Sequence, residues 1–288
     1  MAQTQTMPHS MRAIGTNKEM SQACREAVKP IGLVPTMGAL HAGHLSLVDR
    51  ARADNVTVAV SIFVNPTQFG DKADLEKYPR DLDGDLEMLR LHGVDLVYSP
   101  AVDEVYPEGF DTWVNVGPLA DKLEGQHRPG HFRGVATVVS KLFNVTMPSR
   151  AYFGQKDGQQ TVVIQKLVRD LDMDVEVVVM PTIREPDGLA MSSRNVQLSL
   201  EQRQAAPVVY RALCQAHRLW IEGERSGDIL REAAQTILQA EFMVDSIDYV
   251  SVADLKTLDE ITRIEGRAMV SVALHMGSVR LIDNIVLE

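Results

Sequence analysis

Apolar positions along the chain form short runs that alternate with stretches of helical spacing. Residues 31 to 36 (Ile-Gly-Leu-Val-Pro-Thr) are a brief apolar run that ends at Met37-Gly38 and leads into a helical pattern through Leu45, Val48 and Arg52, which predicts strand, turn, helix. Val56 to Val64 is rich in Val and Ile, as expected of a strand buried on both faces, and Leu86 to His92 followed by Val94 to Tyr98 repeats the helix-then-strand order. A helix through Val135, Val138, Val139 and Leu142, a short run at Ala151 to Phe153, a helical stripe from Val163 to Leu171 and a strand at Val175 to Met180 continue it. Alternation of this kind builds a parallel sheet. Past Pro181 the pattern changes. Glu185-Pro-Asp-Gly188 is turn chemistry, Ser199 with Gln202 is a capping-box start, and two amphipathic helices are predicted over about 199–243. Strand-like runs at Ile247 to Val252, Ala268 to His275 and Val279 to Leu287 complete a small α+β domain, the last two joined through Met276-Gly277-Ser278. The fold class expected is therefore α/β, a Rossmann-like parallel sheet over residues 1–183 followed by a smaller α+β domain over 184–288.

Composition narrows the class. The chain has 288 residues, 45% hydrophobic and 24% charged, which excludes disorder, collagen and coiled coil and leaves room for one large or two ordinary domains. With 29 Lys+Arg against 39 Asp+Glu the formal charge is −10, so no general attraction for nucleic acid or an anionic membrane is expected. Anionic ligands must be held by local positive groups. Cys24 and Cys214 show no zinc-site spacing, which fits a reducing cytoplasm without a disulfide framework. Residues 1–11 read as a polar, frayed end, and no apolar run approaches the roughly 20 residues that span a bilayer.

The stretch from Pro35 through Met37, Gly38, His41 and Gly43 to His44 places a glycine turn and two imidazoles where a strand hands over to a helix. Such a junction collects backbone N–H groups and the positive end of the helix dipole, so it suits an anion; capping and packing are the alternative roles. Gly154-Gln155-Lys156-Asp157 lies at another strand-to-helix passage, where Asp157 and Gln160 fit a capping box but Lys156 opposes the dipole and asks for a phosphate. Met191-Ser192-Ser193-Arg194 offers two hydroxyls beside a guanidinium, either a phosphate clamp or a solvated linker. His127 to Arg133, with Arg128 and His131, is a basic segment in an acidic chain, readable as a flap over an anionic substrate or as an exposed loop. Gln68 follows the second strand, at the carboxyl edge where open α/β sheets bind ligands.

These motifs together resemble the pantothenate synthetase family, the pantoate:β-alanine ligases of the adenylating, nucleotidyltransferase-like superfamily. His41-Ala-Gly-His44 looks like that superfamily's HIGH signature and Met191-Ser-Ser-Arg194 like its KMSKS counterpart; Phe63 to Phe69, Arg128-Pro-Gly-His131 and Gly154 to Asp157 agree in order and spacing. The resemblance implies ATP contacts at Met37, Gly38, His41, Gly43, His44, Gly154, Lys156, Asp157, Ile183, Met191, Ser192, Ser193 and Arg194, with His44, His41, Lys156 and Arg194 catalytic. It implies substrate contacts at Gln68, Gln160, Arg128 and His131, for pantoate and β-alanine. It further implies Mg²⁺, with Asp85 a metal candidate or else a helix N-terminal charge, a cytoplasmic homodimer, and a second domain acting as a lid. Gly158 stands where family members often carry an aromatic residue. The implied reaction is ATP-dependent condensation through a pantoyl adenylate; a nucleotidyltransferase that stops at adenylyl transfer and a non-catalytic nucleotide-binding module are the alternatives.

Overall fold

A computed structural model of the protein describes residues 11–70 and 72–288. Most of the stretch read as a frayed end, residues 1–10, lies outside the described residues; Met11 packs against a hydrophobic core. In chain order the elements are β1 (Arg12–Ile14), α1 (Asn17–Glu26), β2 (Ile31–Thr36), α2 (Ala42–Asp54), β3 (Thr57–Ile62), α3 (Lys72–Lys77), α4 (Leu82–Leu91), β4 (Leu96–Tyr98) and α5 (Val102–Val105). They continue with α6 (Glu124–His127), α7 (His131–Thr146), β5 (Arg150–Gly154), α8 (Gly158–Asp170), β6 (Glu176–Met180), α9 (Leu200–Ala205), α10 (Val208–Ile221), α11 (Gly227–Gln239), β7 (Ser246–Asp254), β8 (Ala268–Met276) and β9 (Val279–Leu287).

The chain forms two compact units. One holds the described residues up to Asn115 with Arg133–Phe153 and Leu167–Met180; the other holds Val116–Phe132, Gly154–Lys166 and Pro181–Glu288. The units interleave, whereas the hydrophobic pattern suggests a single boundary near 183. The reason is polar rather than apolar: Arg280 and Asn284 on β9 bind Glu124 and the turn at Gln155–Lys156, drawing both segments into the second unit.

The first unit is built on a six-stranded sheet of order β1-β4-β3-β2-β5-β6, and the pairs β1–β4, β4–β3, β3–β2 and β2–β5 are parallel. All six residues of β3 are buried, as its Val/Ile composition requires of a strand covered on both faces. Val34, Val58, Val60, Val97 and Tyr152 from the sheet pack with Leu47, Val48 and Ala51 of α2 and Leu89 of α4. Because β2 has β3 on one side and β5 on the other, strand order reverses at β2, and the carboxyl end of such a strand is where open sheets bind ligands.

The second unit is an antiparallel sheet of order β7-β8-β9 packed against α10 and α11. The β8–β9 register runs unbroken from Ala268 opposite Leu287 to Met276 opposite Val279. The capping box at Ser199 and Gln202 forms as the sequence predicts. The two predicted helices over 199–243 are three, because Pro207, which carries no N–H, separates α9 from α10.

Candidate functional site

The turn between β2 and α2 is a strained one. Gly38 has φ +81°, and a Cβ there would sit 2.9 Å from Asp85 Oδ2 and 3.0 Å from Ile62 Cγ2, so both conformation and space require glycine. Ala39 is also left-handed, at φ +50°, without glycine's freedom. Two hydrogen bonds hold it: Ala39 N donates to Asp85 Oδ2 at 2.9 Å and Leu40 N to Asp85 Oδ1 at 2.8 Å. Thr36 Oγ1 accepts from Gly38 N at 3.2 Å and donates to Ser61 O, tying the turn back to β3. Asp85 is 2% exposed; burial pushes its carboxyl above the usual range and the two amides pull against that. From sequence, Asp85 is either a metal ligand or a helix-terminal charge. It stands in the first turn of α4 with both oxygens on backbone amides, and among the described residues no group of three or more His, Cys, Asp or Glu could hold a metal ion.

The braced turn delivers His41 as the N-cap of α2, its Nδ1 accepting from Gly43 N at 3.1 Å. That bond puts the proton of a neutral His41 ring on Nε2 and makes Nε2 a donor. The His41 and His44 rings lie 4.1 Å apart between centroids, so both imidazoles occupy the start of one helix. Along the same sheet edge β3 ends in a 3-10 turn, Pro66–Gln68, capped by Asn65. Asn65 Nδ2 donates to Gln68 Oε1 at 2.8 Å, and its Oδ1 accepts from Thr67 N, Thr67 Oγ1 and the Tyr106 hydroxyl. This network fixes the otherwise ambiguous orientation of the Gln68 amide and turns its NH₂ away from Asn65. Sequence reasoning misses Asn65, although Asn-Pro is itself a turn signal.

In the second unit, Gly154 caps a 3-10 turn, Gln155–Asp157, that runs into α8. Lys156 Nζ lies 3.7 Å from Asp157 Oδ1, which offsets in part the clash between the lysine and the helix dipole. The adjacent glutamines divide their roles. Gln159 is buried, accepting from Glu124 N and donating to Leu119 O and Lys122 O. Gln160 instead lines an open cleft of about 430 Å³, with Arg128, His131, Lys156, Tyr249 and Ser271. Arg128 and His131 are 3.4 Å apart.

Beneath them Glu124 receives both guanidinium nitrogens of Arg280 at 2.7 Å and the Tyr249 hydroxyl at 2.8 Å. Burial pushes the Glu124 carboxyl up, and Arg280 with Tyr249 outweighs it, leaving the group below its ordinary range. The segment from Ile183 to Met191 folds back on itself through an antiparallel bridge between Arg184 and Ala190, Met191 N donating to Ile183 O. It continues into a 3-10 turn, Ser193–Gln197, in which Ser192 Oγ accepts from Arg194 N and keeps its own proton to donate.

The first unit thus brings together Met37, Gly38, His41, Gly43, His44 and Gln68. The second brings together Gly154, Lys156, Asp157, Gln160, Arg128 and His131, and separately Ile183 with Met191 to Arg194. A reversing parallel sheet with a His-Ala-Gly-His turn at its switch strand defines an α/β protein of the HIGH-type nucleotidyltransferase fold. The model of the family described as Pantoate-beta-alanine ligase matches residues 9–286. The chain belongs to that family. A pantothenate synthetase of Roseiflexus castenholzii is 56% identical over 278 residues, covering 96% of this chain and 100% of the relative. The crystal structure of pantothenate synthetase from Thermus thermophilus superposes with a TM-score of 0.91 at 48% identity, covering 96% of this chain and 99% of that one. The pantoate-beta-alanine ligase of Francisella tularensis, solved with beta-gamma ATP and beta-alanine, gives 0.78 at 34% identity, covering 96% and 97%.

Proposed function

We propose that this protein condenses pantoate with β-alanine at the expense of ATP: the pantoate carboxylate attacks the α-phosphorus, giving pantoyl adenylate and pyrophosphate, and the β-alanine amine then displaces AMP. The observation that carries the assignment is the Asp85-braced turn that presents His41 and His44 at the start of α2. In it Nε2 of His41 donates a hydrogen bond to an oxygen of the triphosphate, and His44 stabilises charge that develops during adenylyl transfer. Lys156 and the Ser192–Arg194 loop hold the departing phosphates, a task of positioning rather than covalent chemistry. Gln68 and Gln160 take the pantoate hydroxyls and carboxylate, for which neutral amides supply both donors and acceptors. Arg128 and His131 face the β-alanine carboxylate.

Magnesium enters with ATP as part of the substrate. A cytoplasmic homodimer belongs to the same reading, and the free Cys24 and Cys214 suit a reducing compartment; among the described residues no helix is long and apolar enough to cross a membrane. The deciding experiment adds pantoate and then β-alanine to protein and MgATP while pyrophosphate and AMP are followed separately. Pyrophosphate on the first addition and AMP on the second is the expected result. AMP release without β-alanine would point to a different acceptor, and ATP binding with no pyrophosphate to a non-catalytic nucleotide module.

A further inference from the structure

Two neighbouring residues of β9 grip both loops assigned to the phosphates. Asn284, 4% exposed, donates through Nδ2 to the carbonyls of Gln155 at 2.8 Å and Lys156 at 2.9 Å, and its Oδ1 accepts from Gln155 Nε2 at 2.7 Å. The two carbonyl bonds fix the peptide on either side of the Lys156 α-carbon, and the third ties the Gln155 side chain to the same amide. Asp283, 3% exposed, faces the other side of the sheet, since successive strand residues alternate. It holds the Arg184 guanidinium with both oxygens, the second bond being 3.0 Å.

Arg184 is in turn fixed from three sides: it donates to Gly188 O, its guanidinium lies 3.8 Å over the Tyr210 ring, and it bridges Ala190. It therefore anchors the hairpin that leads into Ser192–Arg194. Asn284 N also donates to Asp283 Oδ1 at 2.8 Å, which links the two grips directly. Gly158 belongs to the same construction. Its φ of −54° needs no glycine, but a Cβ would lie 2.6 Å from Met269 Sδ and 2.9 Å from Asn284 Cγ. A larger residue there would displace the Asn284 amide from the two carbonyls.

We propose that Asn284 and Asp283 are positioning residues, Asn284 for Lys156 and Asp283, through Arg184, for Arg194, so that one strand sets the spacing of the two phosphate-binding loops. This rests on the assignment of Lys156 and Arg194 to ATP. Neither β9 residue touches substrate in this scheme; each acts through a loop it holds.

The test is a pair of double-mutant cycles that read the Michaelis constants for ATP and for pantoate in the pyrophosphate-release step. Asn284→Ser should raise the ATP constant about tenfold, the effect of roughly one lost hydrogen bond, and leave the pantoate constant unmoved. In a Lys156→Ala background the same change should matter less than about twofold, because a positioning residue has nothing left to position. Asp283→Asn is run against Arg194→Ala in the same way. Equal effects in the presence and absence of the loop residue overturn the pairing of that loop with β9. If Asn284→Ser fails to fold, Gly158→Ala, whose Cβ would crowd the Asn284 amide off the two carbonyls from outside β9, is carried through the Lys156 cycle with the same criteria. Should Lys156→Ala or Arg194→Ala leave the ATP constant unchanged, the phosphate assignment itself falls, an outcome visible before any β9 variant is compared.

Discussion

Replacing Asp85 by Asn removes one charge and one of two acceptors beneath the β2–α2 turn. The amide oxygen keeps one of the bonds now made by Ala39 N and Leu40 N, at 2.9 and 2.8 Å, while the new NH₂ meets the other N–H donor to donor. Hydrogen bonds to a charged partner contribute about 1.5–3 kcal/mol, and relief of the buried charge offsets part of the loss, so a net cost of about 2 kcal/mol is expected. In a domain this large that lowers the melting temperature by roughly 4–8 °C. The local effect is larger than the global one, because Ala39 at φ +50° relaxes once its bond is gone and His41 follows two residues later. A misplacement of about 1 Å costs up to roughly 100-fold in rate, so turnover should fall by about 10- to 100-fold. Differential scanning calorimetry and the pyrophosphate assay on one preparation measure both. Burial raises the folded pKa of Asp85, so its stabilising contribution is full below the ordinary value of 3.8 and declines as pH rises through the folded value; the Asn variant lacks that decline. Unchanged melting with full turnover refutes the brace. Unchanged melting with a loss restored by excess Mg²⁺ would make Asp85 a metal ligand instead.

Three further outcomes are expected. His44→Ala should melt normally and lose roughly 10²–10³ in turnover, as when one preorganised donor is removed; near-normal turnover would assign the ring to packing. Gln160→Ala should raise the pantoate Michaelis constant well above any change in that for ATP, while Gln159→Ala, which leaves the Glu124 amide and two carbonyls without their partner, should mainly lower the melting temperature; the reverse pattern would exchange their roles. Because Arg280 and Tyr249 hold Glu124 below its ordinary 4.5 despite burial, its contribution is present above pH 4.5 and lost as pH falls through the folded value. Glu124→Gln should therefore flatten the acid limb of a stability profile and cost about 3 kcal/mol at neutral pH by leaving Arg280 undercompensated, and an unaltered acid limb would discount the pair.

The apolar runs are enough to find β2, β3, β4, β6 and the β8–β9 hairpin, because a buried parallel strand or a long antiparallel one must be continuously or alternately apolar. They are not enough for β1 and α1. Only Ile14 of β1 is buried, and α1 hides just Met20, Ala23 and Cys24. The cue that is present is polar: Thr16 accepts from Glu19 N and donates to its carboxylate, a local start signal without an apolar stripe behind it. The candidate site divides in the same way. Histidines, the lysine and the serine-arginine loop are visible as short motifs because each lies beside its partners in sequence. Asn65, Glu124, Asp283 and Asn284 are not, since three of the four act on groups far along the chain and polar strand residues carry no periodic signature. Asp157 with Gln160 has the spacing of a capping box, but the helix begins at Gly158 after a 3-10 turn, and Gln160 faces the cleft.

The reach of the Asn284 bonds has a consequence for synthesis. The side chain that fixes the turn at Gln155 is 129 positions downstream of it. At about 5–20 residues per second, a ribosome needs roughly 6–26 s to add that stretch. Throughout that interval the lysine turn has no β9 against which to set. The order of the lysine turn is thus set by a side chain that becomes available only after the rest of that turn's own helix and the whole second sheet have been made.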